Sequence, residues 1–441
     1  MKRWICGLLA LIMLTVGLGA AAAGESAGEY RLEQVTVLSR HNIRSPLSEK
    51  GSMISEITPH EWFSWTSKTG ELSLRGAMLE TTMGQYFRLW LESEGLFPEN
   101  YIPEEGAVRF YANGFQRTQA TAHYFSTGLL PVAVTPVERI GELNTHNGTF
   151  LPLIRFMTPA YEADIRKEVA VLGGGVGLSG YRASLEDAWQ LLKKVTDMEQ
   201  TDAYKNNVYG ALDTDDTKLI LDPAVTEEPS MKGPIKYMCS LADALVLQYY
   251  EEPDDLKAAF GHELSEKDWK TIGSVLGTYL KILFGTPLLA PTQSHPMLEE
   301  MYHEMNTQGR KFSFLCGHDS TIMSFLTTLG VNDYELPGAI EPTTPIGVKV
   351  VFERWSDQAG KNWYQVKLVY QSVEQLRSIQ PLSLDQPPMI VPLSFAGIET
   401  NADGMIAEKD LMELFRNKIN RYYELEEIYG DTTEQAEEPA A

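Results

Sequence analysis

The sequence is poor in cysteine and in positive charge. Cys6, Cys239 and Cys316 are the only three cysteines in 441 residues. Cys6 falls in the first apolar run. The rest of the chain must therefore rely on a hydrophobic core, which a chain of this size can build without disulfides. Cys316 ends an apolar strand pattern and reads as a buried free thiol; whether it pairs with Cys239 stays open. Lysine and arginine number 37 against 60 acidic residues, a formal net charge of −23. That balance excludes nucleic acid and anionic membranes as partners. The eight histidines are scattered without metal-ligand spacing, and His295 and His303 do not fit H-E-x-x-H, so no metal or cofactor is expected. Beyond the first residues no apolar run is long enough to cross a membrane.

The N-terminus reads as a secretory leader over residues 1–23. Lys2 and Arg3 form the charged start, Trp4 to Leu18 the apolar middle, and Ala20 to Gly24 the small residues, with cleavage after Ala22 or Ala23. The mature chain is expected in the periplasm or outside the cell. The segment from Glu424 to the end is acidic and short of large apolar residues, and is expected to be a disordered tail over 424–441.

An acidic chain that handles an anion must concentrate positive charge locally. Val35-Thr36-Val37-Leu38 reads as a buried strand. It runs into Ser39-Arg40-His41-Asn42-Ile43-Arg44-Ser45-Pro46, and Pro46 stops regular structure. A strand ending in Arg-His-x-x-Arg sets an imidazole inside an anion clamp. Guanidinium forks match phosphate oxygens and stay charged at any working pH. Imidazole can carry a covalent phosphoryl group. The pattern points to phosphoryl transfer through phosphohistidine. A second such unit follows: strand 312–316, then Gly317-His318-Asp319, then a helix over 320–329. His318 can donate to a phosphate oxygen, and Asp319 can act as general acid to a leaving oxygen. A third is the strand 108–112 with the turn 113–116 and Arg117 at a helix start, a good anion site.

The motif Arg40-His41-Asn42-Ile43-Arg44-Ser45-Pro46 resembles the R-H-G-x-R-x-P signature of the histidine acid phosphatases, with Asn42 where glycine is usual. The spelling is similar to the periplasmic glucose-1-phosphatases of that family, whose near relatives are acid phytases. The resemblance implies that Arg117 is a third phosphate ligand. It implies that Glu228, in Glu227-Glu228-Pro229, reaches the sugar, where its charge would repel additional phosphates. It also places Thr58 to Trp65 near the mouth of the site. Relatives carry several disulfides, and this chain departs from them there.

Together these readings give an α/β fold: a phosphoglycerate-mutase-like sheet flanked by helices, with a smaller, mostly helical inserted domain. Residues 30–147 and 254–423 are assigned to the catalytic domain and 148–253 to the helical one. Val132 to Thr135 is expected as a third strand. The G-x-G-x-x-G within 173–180 follows a helical pattern, not a strand, so a nucleotide site is rejected. The loop 399–410 lacks a preceding helix and ends in Asp, so a calcium site is rejected as well. The expected activity is acid hydrolysis of sugar phosphates, and possible use of phytate, with His41 as nucleophile, Asp319 as acid, and Arg40, Arg44, Arg117 and His318 holding phosphate. Two alternatives stand beside it. One is a binding relative without turnover, which Asn42 would favour. The other is a mutase-like phosphotransferase, which the leader disfavours.

Overall fold

The computed structural model describes residues 30–48, 52–224 and 227–430. The expected leader lies outside them. The strands are β1 (Tyr30–Arg40), β2 (Val108–Ala112), β3 (Val137–Glu138), β4 (Lys218–Ile220), β5 (Ser230–Lys232), β6 (Phe312–Gly317), β7 (Lys349–Asp357), β8 (Asn362–Tyr370), β9 (Met389–Pro392) and β10 (Ile406–Ala407). The helices are α1 (Met53–Glu56), α2 (Leu74–Ser93), α3 (Gln116–Leu129), α4 (Pro159–Leu172), α5 (Leu178–Ser184), α6 (Glu186–Val195), α7 (Asp202–Lys205), α8 (Pro234–Glu251), α9 (Asp255–Ala258), α10 (Glu266–Phe284), α11 (Ala290–Asn306), α12 (Asp319–Leu329), α13 (Val373–Ser378) and α14 (Glu408–Tyr429).

The main sheet runs β10-β8-β7-β1-β6-β2-β3, with β9 paired to β8. β1, β6, β2 and β3 are parallel, whereas β7 returns antiparallel beside β1. Alternation sorts side chains to two faces. Val35, Val37, Phe312 and Phe314 enter a core with Phe87 of α2 and Phe125 of α3. Leu38, Leu315, Val350 and Phe352 face the opposite way, onto Phe325 of α12, Met301 of α11 and Phe415 of α14. Burial on both faces is why these strands read as continuous apolar runs. The architecture is thus an α/β sheet between helices, as expected. The parallel strands β1, β6 and β2 all end on one edge of the sheet.

A second core is mostly helical. Tyr161 of α4, Trp189 of α6, Leu241 and Leu245 of α8 and Trp269 of α10 meet there. Tyr249 stacks on Trp269 with ring centroids 3.9 Å apart. This core draws on residues on both sides of position 253.

Two expectations give way. The third strand is not Val132–Thr135 but Val137–Glu138, where Phe110 pairs with Val137. Val132 and Val134 are exposed, so their β-branched pattern marks no buried strand. The acidic segment from Glu424 is not a tail at its start, because α14 continues to Tyr429. Leu425 is fully buried, and Tyr429 packs on Tyr161 and donates to Asp164 Oδ2 at 2.9 Å. One apolar face outweighs an acidic composition. Residues 431–441 lie outside the described residues.

Candidate active site

Three strand ends build one side of a cleft of about 620 Å³. His41 follows β1, His318 and Asp319 follow β6, and Arg117 stands in the first turn of α3 after β2. The helices α3 and α12 aim their N-termini at this edge, adding partial positive charge and free N–H groups. Gly317 allows the tight turn, since a Cβ there would lie 2.8 Å from Thr321 Oγ1. Glu228, from the other side, lines the same cleft with His41, Arg44, Arg117, His318 and Asp319. Arg40 joins them through its 3.0 Å ion pair with Asp319. All seven site residues expected from the sequence therefore converge. Thr58 to Trp65 do not line this cleft.

The His41 ring has a defined polarity. Its Nδ1 lies 2.9 Å from the Asn42 carbonyl oxygen. An acceptor there fixes the proton on Nδ1 and leaves the Nε2 lone pair available. Burial pushes the imidazole well below its ordinary range, and the Arg117 and Arg44 guanidinium groups push it further. Both effects favour the neutral form of the ring. His318 is lowered in the same way, by burial first and then by Arg117 and Arg44. Asn113 Oδ1 accepts from Gly114 N at 2.7 Å, which turns Nδ2 to His318 Nε2, also at 2.7 Å. The His318 proton is thereby placed on Nδ1, 3.4 Å from Arg117 Nη2. Two donors side by side are suited to an anion between them.

The three arginines differ in how far they are neutralised. Arg40 is buried and reaches Glu341 Oε1 and the Thr344 carbonyl, each at 2.5 Å. Burial alone would lower its guanidinium, but Glu341 and Asp319 outweigh that and raise it. Glu341 is itself held by the Tyr250 hydroxyl at 3.0 Å and Ile346 N at 2.9 Å. Arg44 makes a two-pronged pair with Asp243 of α8, 3.1 Å on each prong. Among the described residues Arg117 is bridged to no carboxylate. Its guanidinium lies over the Phe115 ring, 4.7 Å from the centroid. Burial and then Arg44 lower it to about 10. A cation so destabilised gains most when an anion arrives.

Asn42 is a structural asset in this chain. Its Nδ2 donates to Glu80 Oε1 at 2.7 Å, its Oδ1 accepts from Ile43 N at 2.8 Å, and its own N–H reaches Thr121 Oγ1 at 3.2 Å. Glu80 and Lys349 form a 2.9 Å ion pair with no solvent exposure. Lys349 also donates to Ser39 Oγ and the Gly347 carbonyl. Gly347 has φ 68°, and a Cβ there would sit 2.6 Å from Asn42 Nδ2. The residue whose carbonyl orients His41 is thus gripped at every polar atom. The larger side chain in the glycine position is no sign of a lost function.

Glu228 sits where burial, and then the Asp319 charge, raise its carboxyl to about 7. Cys239 lines the cleft too, its thiol pushed up to about 12 by burial and so unreactive. Cys239 and Cys316 are both free. Sequence reasoning missed Asn113, although it follows a strand as His41 and His318 do. It also missed Asp243, Glu80, Lys349 and Glu341. Asp243 sits in a helix pattern shared with relatives, which was the available signal; Glu80, Lys349 and Glu341 had none.

Comparison with known proteins identifies the family. Residues 31–371 match the model of the histidine phosphatase superfamily, branch 2. A glucose-1-phosphatase of Salmonella typhimurium is 34% identical, over 91% of this chain and 95% of that protein. One from Providencia rettgeri is 30% identical over the same shares. Among solved structures, the phytase of Citrobacter braakii superposes with a TM-score of 0.78 at 26% identity, covering 89% of this chain and 98% of that one. A Hafnia alvei phytase in complex with myo-inositol hexakis sulphate gives 0.78 at 25% identity, covering 88% of this chain and 97% of that one. This chain belongs to the histidine phosphatase superfamily, branch 2, and is a histidine acid phosphatase.

Proposed function

We propose that this enzyme is exported and hydrolyses sugar phosphates of the glucose-1-phosphate kind through a phosphohistidine. His41 Nε2 attacks phosphorus in line, forming an N–P bond as the ester P–O bond breaks. Asp319, in its acid form, gives its proton to the departing sugar oxygen. Water then attacks phosphorus, the N–P bond breaks, inorganic phosphate leaves, and the proton returns to Asp319. Arg40, Arg44, Arg117 and the His318 Nδ1–H hold the equatorial oxygens. Stabilising charge there is the main task in phosphoryl transfer. Glu228 meets the sugar. At acid pH it does so as a neutral carboxylic acid, so it repels further phosphates only once pH passes about 7.

The observation that carries this reading is the polarised His41, neutral beneath three guanidinium groups with its free nitrogen available to the cleft. The similarity to glucose-1-phosphatases over nearly the full chain supports the small substrate, and the phytase likeness keeps inositol phosphates within reach. No helix of the described residues is long and apolar enough to cross a membrane. The test is a panel of glucose-1-phosphate, inositol hexakisphosphate and nitrophenyl phosphate at acid pH, with alkaline rather than acid quenching so that an N–P bond survives. The highest kcat/KM is expected for glucose-1-phosphate. Phosphate release from none of the three would overturn the proposal.

A further inference from the structure

Outside the catalytic cleft, three side chains from distant segments meet at one point. His60 lies in the loop after α1, Asp197 in the turn after α6, and His262 in the loop before α10. His60 Nε2 is 2.7 Å from Asp197 Oδ2, and His262 Nε2 is 3.3 Å from that same oxygen. One ligand atom from each residue lies within 4.8 Å of the other two. None of the three lines the catalytic cleft.

We propose that His60, Asp197 and His262 bind a first-row divalent cation of the zinc type, which clips the loop around residue 60 to the helical core. Two imidazole nitrogens and a carboxylate oxygen are the ligand set of three-residue zinc sites with an open position. Bonds of about 2.0 Å around a tetrahedron put ligand atoms about 3.3 Å apart. The His262–Asp197 separation of 3.3 Å already fits, while the His60 contact at 2.7 Å must open slightly. The side chains are 24–29% exposed, which leaves an entry path and room for a water as fourth ligand.

The turns that present the ligands are held in place. His60 stacks on Phe260, centroids 4.9 Å apart and planes 10° from parallel, and Trp62 meets the same ring edge-on at 5.0 Å. Phe260 has φ 52° and Asp197 φ 47°. The left-handed region is rare for a bulky residue, and its occurrence here points to a constrained site. Lys193, Lys194 and Glu199 line the same cavity as Asp197 and His262, and Lys193 is already paired with Asp213 at 2.9 Å. The benefit to the protein is a cross-link. The contacts join positions 137 and 65 residues apart, in a chain whose described residues hold two free cysteines. Closing long loops restricts the unfolded chain.

The competing state is an ion-free triad, with the Asp197 carboxylate accepting both imidazole N–H groups. Calorimetric titration of chelator-stripped mature protein with zinc separates the two. It is run on the His41→Ala chain so that the His41 imidazole does not compete, with magnesium and calcium as hard-cation controls. One zinc per chain is expected, with a raised Tm. Cobalt in its place should give visible ligand-field bands. Asp197→Asn and His262→Gln should weaken zinc more than the roughly 10–100-fold that loss of an outer partner costs. Chelation should lower the Tm of the wild type and leave its turnover at 25 °C unchanged. Absence of stoichiometric zinc binding overturns the proposal, as does zinc affinity unchanged from the parent chain in both His60→Gln and His262→Gln, which would place the metal elsewhere.

Discussion

The two walls of the catalytic cleft are built on different principles. The sheet wall carries Arg40, His41 and His318, all nearly inaccessible to solvent, each fixed by contacts to backbone or to buried side chains. The helical wall carries Glu228, Asp243, Lys236 and Tyr279, on a loop and on helices that pack into a separate core. Under the proposed mechanism one wall is a cation frame for phosphate, common to any ester. The other, with two acids, a lysine and a tyrosine, would under the proposed mechanism face whatever the phosphate is attached to. The chemistry should therefore fail with changes in the first wall, and the substrate range should shift with changes in the second. The Arg44–Asp243 pair is the seam between them.

The largest break is His41→Ala. Turnover should drop to background while the far-ultraviolet dichroism is kept. In wild type a rapid quench with labelled substrate should trap an acid-labile phosphoenzyme. Residual turnover in the variant without any trapped intermediate would remove His41 from the role.

Asp319 stands at the boundary, so its variant tells the walls apart. A general acid matters in proportion to how poor the leaving group is. Asp319→Asn should slow phosphorylation by glucose-1-phosphate by about 10²–10⁴-fold and by nitrophenyl phosphate far less. Equal losses in single-turnover runs would mean that Asp319 only positions Arg40, to which it is bound at 3.0 Å. Glu228 would then be the next carboxyl to try.

A third test reaches beneath the sheet wall. Lys349→Met leaves Glu80 buried and uncompensated, which should cost about 3–5 kcal/mol of stability. The double change Glu80→Gln with Lys349→Met removes both charges and keeps a carbonyl oxygen for Asn42. Stability should largely return, read from urea midpoints. Burst kinetics should show that phosphorylation recovers with it if the pair serves only to hold Asn42. A phosphorylation rate that stays depressed in a stable double variant would mean that the charge itself orients His41.

The same contrast explains how much could be read in advance. The sheet wall was legible because reactive side chains sit directly after apolar strands, as His41 follows Arg40 and His318 follows Gly317. Asn113 occupies the equivalent place after β2, yet an amide signals no chemistry until its partner is known. Glu80, Lys349 and Glu341 are chosen by packing between elements far apart in sequence. The triad of His60, Asp197 and His262 has no spacing that a motif could capture. Glu228 was reached through resemblance alone. The errors have physical causes too: exposed Val132 and Val134 imitated a strand, and the acidic start of the C-terminal segment hid Leu425, which is fully buried.

The smallest expected effect belongs to Glu228, and it separates the walls by the sign of their pH response. His41 and His318 are lowered in the folded protein. The unfolded chain binds their protons at about pH 6.5; the stability tied to their neutral forms is full above that and is lost as pH falls. Glu228 is raised to about 7, against about 4.3 when unfolded. Its contribution is full below the unfolded value and is lost as pH rises through about 7. The charge that appears then also faces the incoming phosphate. In wild type KM for glucose-1-phosphate should climb through pH 7 by a few-fold. Glu228→Gln keeps a hydrogen-bonding group of the same shape without the charge. Its KM should match wild type at pH 5 and stay flat to pH 8, and its melting point should gain on wild type at pH 8 but not at pH 5. Inositol hexakisphosphate should benefit more than glucose-1-phosphate at pH 8, because it brings more negative charge to the same wall. A variant with the wild-type KM profile for both substrates would mean that Glu228 does not face the bound ester, and the preference for small substrates would then have to come from the shape of the helical wall.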